Sequence, residues 1–219
     1  ILRTSADDLK YYAKEIAEMG FQMNTHAIGD STVSVLLNEY NKVLSKIDDP
    51  RWRIEHSQIV DVSEFQLYND KILPSIQPTH ATSDMYWAYD RLGSRIKGAY
   101  AFKDLLKSSN RVALGTDFPV EKVNPFHTFY SSVERKDLKG YPENGFQMEN
   151  SLSREETLKG MTIWGAYFNF EEHEKGSLEV GKSADFVVLN QNIMEVEADL
   201  IPNTEVLQTY IDGELVYSK

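Results

Sequence analysis

The sequence predicts an α/β fold in which parallel strands are joined by helical crossovers, followed by a small β-rich segment. Three observations lead there. Strand-like and helix-like stretches alternate over roughly the first 135 residues, the pattern of βα units around a parallel sheet. After Gly176 the texture changes to short strands and a tight turn. The hydrophobic content, 41% of 219 residues, is enough to build a core and argues against disorder.

The elements follow in order. Residues 5–19 carry Leu9, Tyr12, Ala13, Ile16 and Ala17 at helical spacing, and Gly20 can end that helix. FQMNTHAIGD at 21–30 reads as a strand running into a turn. Asp30 is placed to cap the next helix, whose apolar face holds Val33, Leu36, Leu37, Tyr40 and Leu44. Pro50 breaks the chain before a second strand at 51–56. Asp61 and Glu64 suggest a capping box for a short helix with Phe65 and Leu67. The third strand spans 73–77 and is closed by Pro78. A polar, aromatic loop is expected at 79–90, then a helix near 92–106, a fourth strand at 111–116 and a helix at 125–133. Residues 137–150 read as a surface loop. Ser153 and Glu156 form a capping-box pattern opening a helix to about Phe168. ADFVVL at 184–189 looks like a strand, and 206–211, Asp212-Gly213 and 214–217 look like a hairpin. Four βα units are half of a (β/α)₈ barrel or a small open sheet; periodicity alone leaves both open.

Composition narrows the chemistry. A net charge of −11 argues against a nucleic-acid surface and against docking on an anionic membrane. No apolar run reaches the roughly 18 residues of a membrane span. With no cysteine, a metal site must use histidine and carboxylates. A small-molecule substrate is the remaining default.

The candidate site comes from position. Each predicted strand ends in a residue able to bind a metal, or lies just before one: His26, His56, Gln77 with His80 just beyond it, and Asp117. Parallel α/β folds put their sites at the C-terminal ends of strands, because the following loops converge there. Taken singly, each residue also fits a structural part, a hydrogen-bonded histidine or an aspartate capping a helix. Glu55 is expected on the opposite face from His56, paired with an Arg or Lys behind the sheet. His127 and His173 are expected to be structural or exposed. Trp87 to Tyr89 could line a pocket or pack a loop.

Several motifs together resemble the amidohydrolase superfamily, in the branch of metal-dependent hydrolases that holds N-substituted formamide deformylases. HAIGD at 26–30, RIEHSQ at 53–58, PSIQPTHATSD at 74–84 and ALGTDFPVE at 113–121 resemble its fifth- to eighth-strand motifs, in that order. GSLEVGKSADFVVL at 176–189 is similar to its return from the barrel into a small β-sandwich. The resemblance implies the C-terminal half of a TIM (β/α)₈ barrel at 1–175 and a segment of a composite β-sandwich at 176–219. It implies His26, His56 and Asp117 as metal ligands, with Asp117 also the general base, and His80 and Gln77 near the substrate. The implied cofactor is a divalent metal, expected to be Zn²⁺, as one or two ions. The implied reaction is hydrolysis of a C–N amide-type bond in a small molecule.

Complete members carry a His-x-His pair on the first strand and a further ligand near the fourth, and no His-x-His occurs here. The expectation is therefore a fragment of a longer enzyme, inactive alone and prone to self-association through its open edges. The cytoplasm is the expected compartment, with export left open by the Ile1 start. Competing expectations are a non-catalytic assembly module and a metal hydrolase of lactone or ester bonds.

Overall fold

A computed structural model describes residues 3–219; Ile1 and Leu2 lie outside it. The chain divides into two compact units. One holds the residues up to Ile76 together with Asp84–Val112, and the other Gln77–Ser83 with Ala113–Lys219.

The first unit opens with helix α1 (Ala6–Glu18), whose N-cap Ser5 accepts a hydrogen bond from the Asp8 amide. Gly20, at φ +74°, turns the chain out of it. Strand β1 (Asn24–Ala27) pairs in parallel with β2 (Trp52–His56), in register from Asn24 with Arg53 to Ala27 with His56. Strand β3 (Ile72–Ile76) pairs in parallel with β2, Trp52 facing Ile72 and Glu55 facing Ser75. Helix α2 (Asp30–Val43) crosses from β1 to β2 and buries Val33, Leu36, Leu37 and Tyr40, the face its spacing predicts. Tyr40 meets Trp52 edge-on with ring centroids 4.8 Å apart, and its hydroxyl shares a 2.6 Å hydrogen bond with Thr25. Ile54, Ile72, Leu73 and Ile76 complete this core. Burying each such side chain contributes about 1.5–3 kcal/mol.

Four local expectations fail here. Gly29, not Asp30, is the N-cap of α2; Asp30 is the first helical residue and accepts from the Ser31 amide. Near Asp61 there is only a 3-10 turn (Phe65–Leu67), with no capping box: Glu64 instead accepts a hydrogen bond from the Ser34 hydroxyl at 2.6 Å. Residues 79–90 are not a loop. Helix α3 runs Pro78–Leu92, Pro78 starting it in the first-turn position where a missing N–H costs nothing. Its buried apolar stripe is small, Ala81, Met85 and Ala88, while Tyr86, Trp87 and Tyr89 are exposed. The aromatics therefore mark the outer face, which hid the helical period. The single helix expected near 92–106 resolves into a 3-10 turn (Gly93–Gly98) and helix α4 (Phe102–Ser109), which lies against β3.

In the second unit, β4 is only Ala113–Leu114. Helix α5 (Pro125–Glu134) starts at Asn124, whose side chain caps the Phe126 amide. It buries Phe126, Phe129 and Tyr130 against Ile193 and Ile201. Its C-terminal neighbour Arg135 is fully buried, and its Nε donates to the Phe146 carbonyl at 2.8 Å, tying down the 137–150 loop. The predicted capping box of Ser153 and Glu156 opens helix α6 (Arg154–Met161). Thr162 then leaves the helical conformation, so that α7 (Ile163–Phe168) is a separate helix and not the continuation expected. Strands β5 (Phe186–Leu189), β6 (Val206–Ile211) and β7 (Glu214–Ser218) form an antiparallel sheet in the order β5-β6-β7. Asp212 and Gly213 both have positive φ, the signature of the tight hairpin turn read from the sequence.

No described helix is long and apolar enough to cross a membrane.

Candidate functional site

In the first unit, His26 and His56 stand at the C-terminal ends of neighbouring strands. Their rings meet edge-on, centroids 4.6 Å apart and planes at 78°. His26 is exposed and His56 is buried. Register places Ala27, not His26, beside His56, so strict pleating would send the two imidazoles to opposite faces. The pleat ends at His56 itself, which takes a φ of +73°, followed by Ser57 at +45°. Non-glycine residues held there cost on the order of 1–3 kcal/mol each, and persist only where the surroundings dictate the backbone.

Those surroundings are dense. The Ser57 hydroxyl donates to the Ile54 carbonyl at 3.0 Å and accepts from the Tyr68 hydroxyl at 2.8 Å. Burial holds the Tyr68 hydroxyl well above the ordinary tyrosine pKa, so it stays a donor. The Ile59 amide bonds to the Ile28 carbonyl and the Val60 amide to the Gly98 carbonyl. A Cβ on Gly98 would fall 1.8 Å from the Val60 carbonyl oxygen, so only glycine lets the two segments approach. The Gln58 amide group reaches both Asp84 (3.2 Å) and the Tyr100 hydroxyl (3.3 Å), and Tyr100 donates to Asp84 at 2.8 Å.

Glu55 pairs with an arginine, as expected, but with Arg53 of its own strand at 3.1 Å, on the same face of the sheet. His26 faces a cleft of about 310 Å³ lined by Arg3, Thr4, Leu9, Ile28 and Thr32.

In the second unit, Gln77 is buried and its carbonyl accepts from the His80 amide at 3.0 Å, in the first turn of α3. His80 is buried too. Its Nε2 lies 3.1 Å from Asp117 Oδ2 and its Nδ1 lies 3.3 Å from Glu121 Oε1. Asp117 follows β4 at φ +59°, and its carbonyl closes a tight turn by accepting from the Val120 amide at 2.8 Å. Glu121 is held in place by the Ser83 hydroxyl, which donates to Oε1 at 2.6 Å. Sequence reasoning passed over Glu121 and Ser83. The available signal was their membership of the two quoted motifs, four residues after Asp117 and three after His80.

His127 lies on α5; burial, then the neighbouring Lys122, lowers its pKa and favours the neutral form. His173 is exposed in its acidic turn. Among the described residues, His56, His80 and Asp117 carry imidazole and carboxylate donors of the kind that hold a divalent ion.

Residues 2–217 match the profile described as Amidohydrolase family. The chain is 32% identical over 216 residues to Protein LONG AFTER FAR-RED 3 of Arabidopsis thaliana, covering 96% of this chain and 36% of that protein. It is 22% identical over 223 residues to an N-substituted formamide deformylase of Arthrobacter pascens, covering 98% of this chain and 40% of the relative. Among solved structures, an uncharacterized metal-dependent hydrolase from Pyrococcus horikoshii superposes with a TM-score of 0.75 at 25% identity, over 90% of this chain and 39% of the other. The chain thus spans 36–40% of the length of these relatives. Its fold class is that of the C-terminal half of a (β/α)₈ barrel followed by a small antiparallel β segment. With a family profile matched along nearly its whole length and a solved metal-dependent hydrolase sharing its fold, the chain belongs to the amidohydrolase family.

Proposed function

We propose that these residues serve a metal-dependent hydrolase that cleaves a C–N amide-type bond in a small molecule. His26, His56 and Asp117 would hold a divalent ion, Zn²⁺ by preference for imidazole and carboxylate donors where cysteine is absent. The observation that carries the reading is chemical. A chain of the amidohydrolase family bears imidazoles at the ends of two adjacent parallel strands, and an aspartate of matching donor type follows β4.

When bound, such an ion supplies Lewis acidity toward a carbonyl oxygen and toward water. The chain's own groups do the rest. Asp117 takes a proton at its carboxylate from the attacking water and returns it to the leaving nitrogen. His80, held between Asp117 and Glu121 through its two ring nitrogens, orients Asp117 and flanks the substrate. Gln77 offers an amide able to donate to a carbonyl or accept from an N–H. The deformylase name of one relative makes an N-substituted formamide the first substrate class to try. The barrel portion is proposed to end near residue 175, with 176–219 a separate β module.

Metal analysis and formamide hydrolysis, run on the complete product of the gene beside the 219-residue chain, test this. The gene product should bind zinc stoichiometrically, and H56A should lose it. D117N should lower turnover by about 10²–10⁴-fold, the usual weight of a general base. A metal-free protein, or a D117N variant as fast as the parent, would sink the proposal.

A further inference from the structure

The turn after β2 carries more than His56. It is anchored at every residue from 57 to 60, and at Ser57 the anchor is the buried Tyr68 hydroxyl of the following segment. The geometry at its first two residues is unusual. His56 and Ser57 are consecutive non-glycine residues in the left-handed region, and this departure from the pleat brings the His56 ring within 4.6 Å of His26. Without it, register would leave His56 beside Ala27, facing away.

Ser57 is the pivot. Its hydroxyl donates back to Ile54 three residues earlier, closing the turn around Glu55 and His56, and this hydroxyl is itself fixed by Tyr68. Ser57 and Tyr68 are almost fully inaccessible, so water cannot replace either bond. Interactions that fix the orientation of a ligating imidazole tune the affinity for the bound ion.

We propose that Tyr68 is a positioning residue for His56: acting through the Ser57 hydroxyl, it holds the left-handed turn that aims this imidazole at the ion. The inference rests on the metal-site reading above.

The test uses the complete gene product and two probes, zinc affinity by chelator competition and the visible spectrum of the cobalt-substituted protein. Y68F removes one oxygen and leaves the ring in its pocket. Zinc should bind roughly tenfold more weakly or worse, and the cobalt bands should change in position or intensity. S57G provides a second variant: glycine accepts the left-handed backbone without strain, so the fold survives while the anchor is lost, and the same two readouts should move. A purely structural hydroxyl would lower the melting temperature while leaving zinc affinity and the cobalt spectrum as in the parent; that result in either folded variant overturns the proposal. If the parent protein itself takes up no zinc or cobalt, the metal-site reading is what has failed, and that shows in the parent alone, before any variant is compared.

Discussion

At the scale of single residues, spacing and environment contribute differently. Positions such as His26, His56, His80 and Asp117 could be read from strand ends, but the surroundings that aim them could not. The left-handed turn at His56 has no glycine to announce it, and Glu121 reaches His80 only because the turn after β4 meets the first turn of α3. Electrostatics at this scale can be tested at Asp30. The Arg95 guanidinium donates to it at 2.9 Å and holds its carboxyl below the ordinary carboxylate pKa. A lowered folded-state value means stabilisation that is fully present above the unfolded value near pH 4 and lost as pH falls through the folded one. D30N should therefore cost stability at neutral pH, no more than about 1 kcal/mol for so solvated a pair, and nothing near pH 2. Urea unfolding of parent and D30N across this range checks it; a gap that persists undiminished in acid would assign the loss to something other than the ion pair.

At the scale of elements, α3 and α6 show which signals survive translation into structure. The Ser153–Glu156 box is a purely local device: the Ser153 hydroxyl caps the Glu156 amide at 3.1 Å while the Glu156 carboxylate accepts from the Ser153 amide at 2.8 Å. Nothing beyond four residues is needed, so sequence reading could find it. S153A should lower stability by about 1 kcal/mol, seen as a reduced unfolding midpoint with an unchanged denaturant slope. No loss of midpoint would mean that α6 is held by packing alone. Helix α3 is the opposite case. Beyond Pro78 its buried apolar residues are two alanines and one methionine, and its bulkiest aromatics are outside. Hydrophobic spacing reports a helix only when large apolar residues mark the inner face, and here they do not. The break at Thr162 was likewise unreadable, because no proline or glycine stands at that position to signal it.

At the scale of the whole molecule, the 219-residue chain carries open strand edges. Among the described residues β1 pairs with β2 alone, and β7 at the other end of the chain exposes Leu215, Val216 and Tyr217. Unpaired edges template association, while a net charge of −11 opposes it by repulsion that salt screens. Sedimentation of this chain at micromolar concentration should show species larger than one copy, increasing with ionic strength. A monomer at every salt concentration would end that expectation. By itself the sequence determined the α/β class, the succession of strand–helix units along the chain, the three-stranded tail, and the residues at the strand ends, because strand periodicity, helix caps and turn residues are interactions over a few positions. Only the tertiary structure decided that 78–92 is a helix, that Glu121 stands against His80, and that the His56 turn is held left-handed from Tyr68. The last two depend on contacts between residues 11 and 41 positions apart, whose energies no local pattern records.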